Sequence, residues 1–178
     1  PNFTFRTDLH EALIRHDHSS FVYQLIDIIG AGREIHSHGV RVSAFLVLGS
    51  LKLPYCLQLI LENLPVLPLE QAREFAIHLA EYDGNAFRER TMDILQGEDG
   101  KIRAALIAAL PALADKEYLK PIREALQDAD PLVRGAAVWA LMEYGDSRST
   151  KDARNLLRDP VVHVRSQTAA ALGQYGND

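Results

Sequence analysis

A fixed offset of 31 residues runs through this chain, and it constrains the fold more than any single motif does. Three segments superpose at that offset without a gap: EDGKIRAALIAALPALAD from Glu98, ADPLVRGAAVWALMEYGD from Ala129 and PVVHVRSQTAAALGQYGN from Pro160. Ile102, Val133 and Val164 align, as do Arg103, Arg134 and Arg165, and Leu110, Leu141 and Leu172. Ala109, Ala140 and Ala171 share a column, and Leu113, Tyr144 and Tyr175 share another. One step back, Leu79 and Tyr82 fall in register, and a further step brings in Val40-Arg41, Leu48 and Leu51. The phases therefore start at 40, 71, 102, 133 and 164; the second is degenerate, with Gln71-Ala72 in place of an apolar residue and arginine. Self-similarity at a period of this size is the signature of stacked repeats, in which each unit buries its apolar face on its neighbours.

Within a unit, positions 102, 106, 109, 110 and 113 follow the i, i+4, i+7, i+8, i+11 spacing of an amphipathic helix. The link to the next unit carries a second helix, on which Leu64, Leu95, Leu126 and Leu157 recur, with Ile122 four residues before Leu126. Asp130-Pro131 reads as an N-cap followed by a first-turn proline, and Asp159-Pro160 occupies nearly the same place. Gly145 and Gly176 stand where a first helix must close, a position that favours the left-handed cap. No alternating stretch is long enough for a sheet, so the chain is expected to be all-α.

The run Asp128-x-Asp130-x-x-Val133-Arg134-x-x-Ala137-x-x-Ala140-Leu141-x-x-x-Gly145-Asp146 resembles the HEAT-like repeat of the phycobilisome-lyase type. The resemblance covers roughly residues 38 to 178 and is strongest from 97 onward. It implies a right-handed α-α superhelix, an α-solenoid of HEAT-like two-helix repeats with units starting near 38, 69, 100, 131 and 162. The last unit stops after its first helix, as expected of part of a larger protein. Residues 1–37 are less regular and are expected to form atypical N-terminal capping helices, since an end unit must cover an exposed core edge. The resemblance also implies that Arg41, Arg103, Arg134 and Arg165 pair with Asp99, Asp128, Asp130 or Asp159 in a ladder that ties units together. Those arginines are thereby assigned to structure, because charges at a repeat interface must be paired to be tolerated.

Bulk properties narrow the function classes. Apolar residues make up 47% of the 178, which supports a substantial core. A net charge of -5 gives no global nucleic-acid or membrane signature. No apolar run approaches the roughly 20 residues of a membrane span. The lone Cys56 sits in an apolar run, reads as a buried hydrophobe, and fits a reducing, cytoplasmic setting.

No catalytic constellation stands out: there is no Gly-x-Ser-x-Gly elbow, no Walker loop and no Cys/His dyad. The pairs His16/His18 and His36/His38 fall short of the three or four converging ligands a metal needs. HEAT-like di-iron hydroxylases carry several His-Glu pairs, and this chain has only His10-Glu11. Gly30-Ala-Gly32-Arg33 reads as a link between units. The expectation is therefore no metal and no cofactor.

Two features point to binding. On the second helices, Lys120 and Lys151 recur, as do Arg123 and Arg154, and Arg158 follows Gln127. Stacked repeats would line these up as a basic strip suited to an acidic partner, although Glu124 and Asp152 lie near enough to make it an ordinary solvated face. Trp139, the only tryptophan, replaces the alanines at 108 and 170. It is either a gap-filler in the first-helix layer, the preferred reading, or an anchor for a partner. The candidate partner-binding set is accordingly Lys120, Arg123, Lys151, Arg154, Arg158 and Trp139. In solenoids that this chain resembles, the second helices line the concave groove. The expected function is a non-catalytic protein-interaction or scaffolding module that binds there. The alternatives carried by the resemblance are an accessory subunit of a phycobilin (tetrapyrrole) lyase and a nucleic-acid-binding HEAT-like protein, the latter disfavoured by the acidic balance.

Overall fold

A computed structural model describes residues 64–82, 84–146 and 148–175, with isolated positions before them at 24, 25, 27, 28, 40, 44, 47, 48 and 61. Arg41, Cys56, Gly176, the Gly30–Arg33 link and the histidines before residue 39 lie outside the described residues, as does the expected cap over 1–37 except for helical Gln24, Leu25, Asp27 and Ile28.

The described residues form seven α-helices and no strand. Four long helices recur as first helices: α1 (Leu69–Tyr82), α3 (Gly100–Ala109), α5 (Pro131–Glu143) and α7 (Val162–Tyr175). Their starting residues are 31 apart throughout. Between them lie the second helices α2 (Gly84–Leu95), α4 (Leu119–Glu124) and α6 (Ser149–Asn155). α4 and α6 run on into single 3-10 turns, Ala125–Gln127 and Leu156–Arg158. The molecule is an all-α solenoid of two-helix units with a 31-residue period.

Local chemistry sets these boundaries. Asp99 caps α3 by accepting from the backbone N–H groups of Lys101 and Ile102 at 2.8 and 3.1 Å. Asp130 caps α5 by accepting from Leu132 N–H at 2.8 Å, with Pro131 in the first turn, where its missing N–H leaves nothing unsatisfied. α5 closes as the glycine pattern requires. Gly145 adopts φ +66°, its N–H donates to Met142 C=O, and Asp146 N–H donates back to Leu141 C=O. That pair of bonds is the Schellman closure. One unit earlier, Ala114 stands at the equivalent place and also takes positive φ, +52°.

The expected first-helix stripe is the core. Leu106, Ala109 and Leu110 of the α3 unit are buried, with Ile102 and Leu113 half-buried at its ends. Val133, Leu141, Val164 and Ala171 repeat the same burial in later units. From the second helices, Tyr118, Ile122 and Leu126 enter the core. One recurrence departs from the pattern: Leu157 is 42% exposed and Leu156 is buried in its stead. α6 presents Ala153 and Leu156 to the core, and among the described residues no further second helix packs beside it to cover Leu157.

Among the described residues, two of the recurring arginines, Arg103 and Arg134, form the ladder, with Asp128 and Asp159; Asp99 and Asp130 cap helices instead. Arg103 binds Asp128 through two nitrogens at 3.1 and 2.8 Å, and its third donates to Gly97 C=O at 2.6 Å. Arg134 repeats this one unit on, with Asp159 at 2.8 and 2.9 Å and Asp128 C=O at 2.9 Å. Arg165 donates to the carbonyls of Asp159 and Pro160. Each arginine thus fastens the loop before its own helix, and Arg103 and Arg134 also hold the loop that ends their unit. Asp128 and Asp159 use the same carboxylates to accept from Asp130 N–H and Val161 N–H, each at 2.8 Å, so they shape the loops as well.

The Arg134 guanidinium, with the Val161 N–H, holds the Asp159 carboxyl below its ordinary pKa against the opposing effect of burial. A depressed folded-state value means the stabilisation is present above the unfolded carboxylate pKa, near 4, and is lost as pH falls through the folded value. Stability measured by urea unfolding is therefore expected to fall with pH below about 4. Asp159→Asn, which keeps an acceptor for Val161 N–H, is expected to flatten that part of the profile.

Candidate interaction surface

The first helices pack on one another much more extensively than the second helices do: α3 against α5 and α5 against α7 are the largest helix contacts, whereas α2, α4 and α6 scarcely touch each other. The first helices therefore form the more closely packed layer of the stack. A groove of about 590 Å³ opens there, lined by α1, α3, α5 and α7 together with Pro65. The second helices were expected to line the binding groove; none of the residues lining this one comes from α2, α4 or α6.

The groove has a floor of small residues, Ala104, Ala105 and Ala108 of α3 with Gly135, Ala136 and Ala140 of α5. The short side chains allow α3 and α5 to pack closely. Leu69 and Leu132, 43% and 42% exposed, stand along the edge formed by the helix N-termini. Lys101 and His163 lie on the same edge; both are exposed and neither has an ion pair among the described residues. The Asp99 and Asp130 carboxylates beside this edge are engaged with the capping N–H groups.

The other side of the groove is closed by a strap. Arg73 of α1 reaches over α3, donating from Nε to Ala108 C=O at 3.3 Å and from Nη2 to Glu143 Oε2 of α5 at 2.5 Å. Residues 70 positions apart are joined because only alanines lie between them on α3. Trp139 stands beside Glu143, half-buried, and its ring meets Tyr175 of α7 edge-on, with centroids 6.0 Å apart and planes at 89°. Trp139 packs within the first-helix layer and also lines the groove.

The basic strip sits on the opposite layer. Lys120 has an 84% exposed side chain, with Nζ 4.0 Å from Glu124 Oε1. Arg123 is tied to Asp146, Nε to Oδ2 at 2.7 Å, with the Asp146 side chain only 8% exposed, and so fastens the α5–α6 connection onto α4. Lys151, Arg154 and Arg158 are exposed, as are Glu124 and Asp152 among them. The structure therefore does not bring Trp139 together with the other five candidates.

Sequence reasoning missed Arg73, Glu143, Lys101, Leu69 and Leu132. A signal existed for the floor: Ala104 and Gly135, and Ala105 and Ala136, recur at the 31-residue offset as small residues. The strap carried none, because Arg73 replaces the small residue of its column in the degenerate unit.

The lining contains no hydroxyl or thiol side chain, so it offers no nucleophile of those kinds. Among the described residues no cluster of three or more His, Cys, Asp or Glu side chains could hold a metal, and no helix is long and apolar enough to cross a membrane. What the arrangement can do is receive apolar side chains on its floor and carboxylates along the Lys101 edge.

Residues 89–173 match the family model of HEAT repeats. That span covers every unit in which the arginine–aspartate ladder is seen. A comparison with curated proteins found no match.

Proposed function

We propose that this HEAT-like solenoid is a non-catalytic protein-interaction module that binds its partner on the grooved first-helix face. The observation that carries the reading is the groove itself: an apolar floor spanning several units, with Trp139 and two half-exposed leucines around it. HEAT repeats commonly mediate protein–protein contacts or scaffolding, and a stacked solenoid offers an extended surface that loses little conformational freedom on binding. Tryptophan is among the residue types enriched at binding hot spots. The 31-residue spacing supports the short, phycobilisome-lyase-type variety of the repeat.

The test is reconstitution with a purified partner obtained by affinity capture on the intact chain. Trp139→Ala and Ala136→Arg are expected to weaken that complex by at least about thirtyfold, equivalent to about 2 kcal/mol at a hot spot. Lys151→Glu with Arg154→Glu is expected to leave it nearly unchanged. The reverse ranking would return the binding surface to the second helices and the basic strip.

A further inference from the structure

We infer that the end of the described array formed by α6 and α7 docks a two-helix segment of another protein and receives an aspartate from it on Arg165. This surface is separate from the first-helix groove and does not depend on what the groove binds.

The ladder supplies the chemistry. Arg134 uses Nη1 to hold the carbonyls of Asp128 and Ala129 at 2.9 and 3.1 Å, and turns Nε and Nη2 to the Asp159 carboxylate in the loop that ends its unit. Arg165 places Nη1 in the same way, on Asp159 C=O at 2.8 Å and Pro160 C=O at 3.1 Å. Its Nε and Nη2 have no partner among the described residues. A guanidinium pinned through one nitrogen keeps its other edge aimed, and that edge matches a carboxylate with two parallel bonds.

Burial marks where the segment would lie. Ile107 and Val138 are 1% and 0% exposed, each with a following unit stacked beyond it. Ala169, in the same column and with no following unit among the described residues, is exposed. Leu126 is 2% exposed and Leu157, one period on, 42%. The arginine edge is thus accompanied by apolar positions that a stacked pair of helices covers in the earlier units.

Charge and register select the occupant. From α6 to α7, Lys151, Arg154, Arg158 and Arg165 stand against Asp152 and Asp159, and Asp159 is already engaged by Arg134. An acidic residue therefore meets attraction at this end of a chain whose net charge is -5. A second copy stacked head to tail does not supply it, because the column of Asp128 and Asp159 reads Gly97 and Val66 in the earlier units. In the ladder the carboxylate follows a second helix and also accepts the N–H two residues on. The partner segment is accordingly helix, turn, helix and aspartate.

A labelled peptide of residues 131–161, which carries α5, α6 and the Asp159 loop, is the probe, together with its Asp159→Asn form. Both are titrated by fluorescence anisotropy against the intact chain, Arg165→Leu and Ala169→Arg, with each variant's helicity and melting checked. The expected result is binding to the intact chain, about tenfold weaker with Asp159→Asn in the peptide or Arg165→Leu in the chain. Combining the two changes should bring no further loss, and Ala169→Arg should abolish binding. Ala169 is exposed, so its variant remains informative if Arg165→Leu unfolds. No binding to the intact chain, equal affinity for the two peptides, or binding indifferent to a folded Ala169→Arg would overturn the inference. Sedimentation of the intact chain should show a monomer; dimers that Ala169→Arg dissociates would overturn the separate partner in favour of a second copy.

Discussion

Replacing Arg134 with leucine is expected to cost about 3 kcal/mol, near the lower end of the range for breaking a buried ion pair, because the pair lies close to the surface. The arginine side chain is 12% exposed and its partner Asp159 only 3%. Removing the guanidinium leaves the Asp159 carboxylate desolvated with only the Val161 N–H among its described partners, and it strips the Asp128 and Ala129 carbonyls of a donor. The damage therefore comes from the groups left behind more than from the lost attraction. The double variant Arg134→Leu, Asp159→Asn is expected to recover much of the loss, since it removes the stranded charge and keeps the loop's acceptor. The exposed i, i+3 pair Arg90–Asp93 serves as the comparison: Arg90→Ala should change stability by less than about 1 kcal/mol. Urea unfolding of the four proteins checks the ranking. Equal effects of Arg134→Leu and Arg90→Ala would remove the ladder from the list of major stabilising features.

The second large effect lies at α2. Its buried side chains are Phe87, 1% exposed, and Thr91, with Met92, Ile94 and Leu95 half-buried against the core, so Phe87 is its one fully buried apolar side chain. Phe87→Ala is expected to cost about 3–5 kcal/mol through lost burial and the cavity left behind. In a repeat array the loss should fall locally, because each unit contacts mainly its neighbours. Hydrogen exchange is expected to show α2 and its junction with α1 losing protection first, while α5 and α7 keep theirs. Uniform loss of protection from α1 to α7 would show instead that the array unfolds as one cooperative block.

The contrast between ladder and groove shows what a periodic sequence discloses. Arg103 and Arg134 pair with Asp128 and Asp159, residues that recur at the same offset as the helices, so the register carried them. The capping aspartates and Gly145 were legible for a related reason: each answers to a local backbone requirement that its own residue type reveals. Trp139 was visible as a break in an alanine column. The strap was not, because Arg73 and Glu143 lie in different columns two units apart and meet only across the small side chains of α3. Which layer packs more closely was also hidden. The placement of the groove on the second helices came from the resemblance, whereas the closeness of α3, α5 and α7 is a property of three-dimensional packing. Arg123 shows the same limit from the other side. Its column with Arg154 suggested a shared strip, yet Asp146 holds it in place while Arg154 is exposed.

The central claim is that the grooved first-helix face receives the partner, and side-chain footprinting of the complex tests it most directly. Carbene labelling of the protein with and without its bound partner should show protection over residues 101–108 and 132–143, including Trp139, with labelling of residues 116–127 and 149–158 unchanged. Protection confined to the second helices, with Trp139 labelled equally in both states, would contradict it.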